Sequence, residues 1–100
     1  MIETACQVLF LERGDHGARL DLVTVEPTTA DGTLVPAGTT VAVGVALDDT
    51  APDARGALSM LERWADEIAV LHFGIVEGDD SVELVFERQD QRLVLEALRR

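Results

Sequence analysis

The chemically capable residues of this 100-residue chain are few: Cys6, His16, His72 and a surplus of carboxylates. A thiol beside an imidazole can form a nucleophile pair, because the imidazole takes the thiol proton. Cys6 and His72 both fall in segments that read as strands, so the pairing is open to them. An unpaired cysteine is more commonly a small core hydrophobe. His16 lies in Gly14-Asp-His-Gly17, a turn by composition, and reads as a solvated turn residue. Histidine is a versatile acid, base and ligand, but the plainer reading of His72 is a surface or half-buried strand position.

Other chemistries find little to work with. A metal centre needs clustered Cys, His or carboxylate ligands, and the chain offers one cysteine and two distant histidines. Ser59 and Ser81 have no nucleophile-elbow context. No glycine-rich phosphate loop occurs. Asp48/Asp49, Asp66/Glu67 and Asp79/Asp80 pair in sequence, but acid–base catalysis needs one carboxylate desolvated, and these pairs fall at caps and turns, where water is near. Glu77-Gly-Asp-Asp80 lacks the ligand spacing of an EF-hand. We therefore expect no cofactor, no metal and no catalytic residue.

The charge balance is 19 acids against eight bases, a formal −11, and every base is arginine. Phosphate contacts need a basic surface, so direct binding to nucleic acid or to an anionic membrane is disfavoured. The charge is compatible with a basic protein partner, with mimicry of a nucleic acid, or with solubility alone. Hydrophobic residues make up 47% of the chain, too many for a disordered segment. No apolar run approaches a membrane span, no signal peptide is visible, and a single cysteine allows no internal disulfide. The expectation is one cytoplasmic domain covering residues 1–100.

The elements that must position these groups follow from hydrophobic periodicity. Asp49 to Ile68 is the one long helical pattern. Ala54, Leu58, Leu61, Ala65 and Ile68 fall on one face, with Trp64 at its margin; Arg55, Ser59, Glu62, Arg63 and Asp66 fall on the other. Thr50 to Asp53 fits a capping box, Pro52 suits a first turn, and Asp48, Asp49 and Asp53 place negative charge at the dipole's positive end. Gly56 is a weak point in the helix interior.

Residues 3–13 and 18–26 read as a pair of strands, with Cys6, Val8 and Phe10 on one face of the first. Asp31-Gly32 and Pro36-Ala-Gly38 are turn signals around a short strand, Thr33 to Val35. Residues 39–47 alternate cleanly: Val41, Val43, Val45 and Leu47 on one face; Ala42, Gly44 and Ala46 on the other, a shallow strip for a helix or a partner. Residues 70–88 read as a hairpin about Gly78-Asp79, in a II′ turn, with Leu71, Phe73 and Ile75 sharing a face with Val82, Leu84 and Phe86. Residues 90–99 suit a short helix or a returning strand, the helix being favoured by composition. The expected fold is α+β: a largely antiparallel sheet of about five strands, order β-β-β-α-β-β, with the 50–68 helix packed on one face and a short C-terminal helix.

Glu77, Asp79, Asp80, Glu83 and Glu87 gather on the hairpin, and Glu62 and Asp66 on the helix. With Trp64 as an aromatic that is either core or interface anchor, the expected contact surface is Trp64, Glu62, Asp66, Glu83 and Glu87. The expected function is non-catalytic: engagement of another protein through an acidic surface, which suits a basic partner, by an inhibitor, immunity or adaptor type of protein. The alternatives are a nucleic-acid mimic, with carboxylates in two rows, and a small dimeric ligand-binding domain or enzyme with an apolar pocket near Cys6 or His72. A homodimer joined through strand edges or the Ala42-Gly44-Ala46 strip is a further possibility.

Overall fold

Alternating side chains in a strand point to opposite faces, and this chain uses that alternation to line a curled sheet. The computed structural model describes residues 2–46, 52–79 and 81–98. In chain order these form β1 (Ile2–Arg13), β2 (Gly17–Thr24), β3 (Thr28–Ala30), β4 (Thr33–Val35), β5 (Thr40–Ala46), α1 (Pro52–Asp66), β6 (Leu71–Glu77), β7 (Ser81–Arg88) and β8 (Gln91–Leu98). Six strands make one antiparallel sheet in the order β5-β2-β1-β6-β7-β8, and β3 and β4 make a separate hairpin. The sheet curls until its edge strands, β5 and β8, approach within 8 Å between Cα atoms without pairing.

The inside of the curl is the core. Cys6, Leu20, Leu22, Leu71, Phe86 and Leu95 are each at most 1% exposed. Phe73 and Phe86 meet across β6 and β7 as a tilted pair, with ring centroids 5.2 Å apart and planes at 45°.

The two ends of the curl are closed differently. β6 starts at Leu71, opposite Cys6, so the second half of β1 has no strand on that side. Helix α1 packs there, against β1 and β8, and sends Ala57, Leu58, Leu61 and Trp64 into the core. Arg13 pins it from outside, 3.1 Å from the Glu62 carboxylate and 3.3 Å from the Ser59 hydroxyl; Arg88 pairs with Glu67 at the helix end.

At the other end of β1 lies the β3–β4 hairpin. Its pairing leaves Asp31-Gly32 as a two-residue loop, and both residues have positive φ, 51° and 76°, as a type I′ turn requires. The Thr28 hydroxyl donates to the Glu3 carbonyl at 2.8 Å. The Thr24 hydroxyl donates to the Pro36 carbonyl and accepts from the Thr39 N–H, each at 3.0 Å.

Several expectations are corrected. The sheet has six strands rather than about five, and the element order is five strands, one helix, three strands. Residues 91–98 are strand β8, not a helix. Gln89, at φ 53°, and Asp90 turn the chain tightly after Arg88, which pairs with Gln91. Leu93 and Leu95 then fall opposite Phe86 and Leu84, and burial at period two outweighs the helix propensity of Leu, Glu and Ala.

The β6–β7 parity is as expected, with Phe73 facing Phe86 and Ile75 facing Leu84. The turn is longer than two residues, because Glu77 pairs with Val82.

In β1 a bulge at Leu9, between the Val8–Leu22 and Phe10–Asp21 pairs, reverses the parity. Leu11 turns inward to face Leu20, and Phe10, expected beside Cys6 and Val8, is 49% exposed. An extra residue in one strand has this effect on every side chain after it.

The helix is shorter than 50–68, and it closes one end of the curl rather than lying on an open sheet face. Its buried stripe is Ala57, Leu58, Leu61 and Trp64. Ile68, expected on that stripe, is 71% exposed. The capping residues Asp48, Asp49 and Thr50 and the strand residue Leu47 lie outside the described residues, and so does Asp80. The Ala42-Gly44-Ala46 strip is on the exposed side of β5, away from the helix.

Candidate functional site

Register decides the fate of the one candidate nucleophile. Cys6 pairs with Leu71 and points into the core, 1% exposed; His72 pairs with Ala5 and points out. The two side chains stand on opposite faces of the sheet, so they form no dyad. Burial pushes the Cys6 thiol up to about 12, and a thiol held neutral is a poor nucleophile. Among the described residues, no three His, Cys, Asp or Glu side chains are placed to hold a metal ion. No helix among them is long and apolar enough to cross a membrane.

What the fold does build is a mixed outer face across β1, β6, β7 and β8. Its rows follow from the pairing. Ala5, His72, Glu87 and Arg92 make one row, and Glu3, Gly74, Val85 and Val94 the next. Val76, Glu83 and Glu96 make a third. Among the described residues, the carboxylates of Glu3, Glu83, Glu87 and Glu96 therefore share this face with the guanidinium of Arg92, which lies 3.7 Å from Glu87. Glu83 and Glu96 are direct cross-strand partners, a like-charge placement that costs stability. Val76 and Val94 are exposed among these charges.

The same face continues toward the helix end as an apolar surface. Val70 precedes Leu71, the partner of Cys6, so it follows β1 alongside Gln7. The Gln7 side-chain amide donates to the Ile68 carbonyl at 3.1 Å, which holds that segment against β1. Leu9 and Phe10 follow at the bulge. Leu9, Ile68 and Val70 are 58%, 71% and 54% exposed.

Ile68 is also strained. It ends the helix at φ 53°, with its N–H donating to Ala65 and the Ala69 N–H donating to Trp64 at 3.0 Å. That is a Schellman arrangement, whose left-handed position normally belongs to glycine. A β-branched residue there is a genuine outlier, and such strain clusters at functional positions.

No family model, curated protein or solved structure matches this chain.

The structure divides the expected contact set. Glu83 and Glu87 are exposed on the outer face of β7. Glu62 and Asp66 are exposed on the helix, whose opposite side fills the core, so they belong to a different surface. Glu62 is engaged by Arg13. Trp64 is 2% exposed and is a core residue, not an interface anchor.

Leu9, Phe10, Ile68 and Val70 were legible only as hydrophobic residues. The bulge that turns Phe10 outward has no glycine to announce it, and the periodic pattern runs through Ile68 without a stop signal.

Proposed function

We propose that this protein is a non-catalytic binding protein that engages a basic protein partner through the outer face of β1, β6, β7 and β8. The observation that carries the reading is the joining of two kinds of surface. Exposed Leu9, Phe10, Ile68 and Val70 adjoin a field of Glu3, Glu83, Glu87 and Glu96. Apolar contacts at the centre of an interface supply affinity, and a surrounding charge of one sign supplies on-rate and discrimination between partners. Solubility alone calls for charge without exposed apolar neighbours.

A nucleic-acid mimic would need carboxylates in two regular rows. Here they stand at separated positions, and Arg92 sits opposite Glu87, so this face favours a protein partner.

The test is retention of partners from a cell lysate at low and high salt, comparing the native chain with Glu83→Gln/Glu87→Gln and with Val70→Ser. Exposed charges contribute little to stability, so the double variant should fold normally. It should lose affinity roughly tenfold and show a shallower salt dependence, and Val70→Ser should weaken binding at every salt concentration. A partner held equally by all three chains removes this surface from consideration.

A further inference from the structure

The end of the curl opposite the helix is not filled. Between the inner face of the sheet and the β3–β4 hairpin lies a cavity of about 100 Å³ that is partly open to the surface. Its inner wall is Cys6, Leu22, Phe73 and Ile75, and the hairpin contributes Thr28, Ala30 and Val35.

Three threonines line it, and none offers a free hydroxyl. Thr28 donates to the Glu3 carbonyl, Thr24 to the Pro36 carbonyl, and Thr4 to the Ala5 carbonyl at 3.3 Å. Among the described residues no buried side-chain nitrogen or oxygen lacks a partner. The surface left facing the cavity is therefore apolar, made of methyl groups, a phenyl ring and a thiol held neutral.

Water gains little in such a space. A buried water ordinarily makes about three hydrogen bonds, and an apolar cavity of roughly 150 Å³ in another protein stays dry and takes up benzene or xenon. We propose that this cavity is a binding site for a compact, neutral, apolar molecule of roughly five or six non-hydrogen atoms, or for the apolar end of a longer one that leaves through the opening. The site is on the inside of the sheet and the partner surface is on the outside, so the two readings stand or fall separately.

The size sets the affinity. A ligand this small binds weakly, with a dissociation constant on the order of micromolar to millimolar. A polar ring of the same size must leave its hydrogen-bonding atoms unpaired in the cavity.

The experiment is a titration of the intact protein with benzene and with pyrimidine, followed by amide chemical shifts, together with the rate at which a small thiol reagent modifies Cys6. Benzene should give saturable shifts centred on Cys6, Leu22, Phe73 and Ile75, and should slow Cys6 modification several-fold. Pyrimidine should bind at least tenfold more weakly. Ala30→Leu fills the space from the hairpin side and should abolish the benzene response with the fold retained.

Cys6 protection in the native chain needs no variant, so it decides the matter if Ala30→Leu does not fold. Non-saturating or dispersed shifts, an unchanged Cys6 rate, or equal binding of pyrimidine would overturn the proposal.

Discussion

Single residues in this protein carry consequences that can be measured in isolation. The chain has no lysine and no tyrosine, and arginine keeps its proton throughout the accessible range. Cys6 is then the one side chain expected to titrate between pH 9 and 12, with its thiol raised from 9.0 to about 12 by burial. In that window the unfolded thiol has lost its proton and the folded one keeps it. The folded state binds one more proton, so raising the pH favours unfolding. Stability should be fully present below pH 9 and fall by up to about 1.4 kcal/mol per pH unit above it. Denaturant melts of the native chain and of Cys6→Ala check this, since the variant should lack the slope. Ile68 gives a second case. Ile68→Gly relieves the left-handed strain and should raise stability by roughly 0.5–1 kcal/mol. The same change removes an exposed apolar side chain and should weaken partner binding. Opposite signs in a thermal melt and a binding assay would tie the strain to function.

At the scale of elements, the helix is weaker than its packing requires. Gly56 lies in the interior of α1, and a Cβ built on it meets nothing within 4 Å. Gly56→Ala should stabilise the protein by about 1 kcal/mol, read as a shift in denaturant midpoint without a change in slope. Gly17 is the contrary case. A Cβ there would sit 2.8 Å from the Val45 carbonyl oxygen, across the β2–β5 pair, so this glycine permits a close backbone approach. Elements with unbroken periodicity were legible in the sequence. The Val41, Val43, Val45 alternation of β5, the Asp31-Gly32 turn and the parity of β6 against β7 all have local chemical causes. The features that shape the candidate site do not. The β1 bulge is fixed by how β2 fits against it, β8 is a strand because Phe86 and Leu84 need cover, and the burial of Trp64 depends on a gap left where β6 begins late. Leu9, Phe10, Ile68 and Val70 became a surface through those tertiary choices, and for that reason Glu83 and Glu87 are legible in the sequence as surface residues while their apolar neighbours are not.

For the whole molecule, the two edges of the sheet face each other across a narrow seam. An exposed sheet edge is a template for strands of other chains, and a chain with 47% hydrophobic residues presents that hazard strongly. Strands in a sheet lie about 4.8 Å apart, so an intruding strand needs a gap of about 9.5 Å to pair on both sides. Where β5 and β8 approach, the gap is under 8 Å. Each edge thus guards the other against edge-to-edge aggregation, without the hydrogen bonds of a closed barrel. Forcing the seam apart should expose both edges at once. Val45, 4% exposed on the inner side of β5, is the position from which to do it. Val45→Arg should drive concentration-dependent assembly, with growing β-sheet signal in infrared spectra, while the native chain stays free of it. The unbonded seam thereby serves as protection against amyloid-like growth, a property of the shape of the curl rather than of any one residue along it.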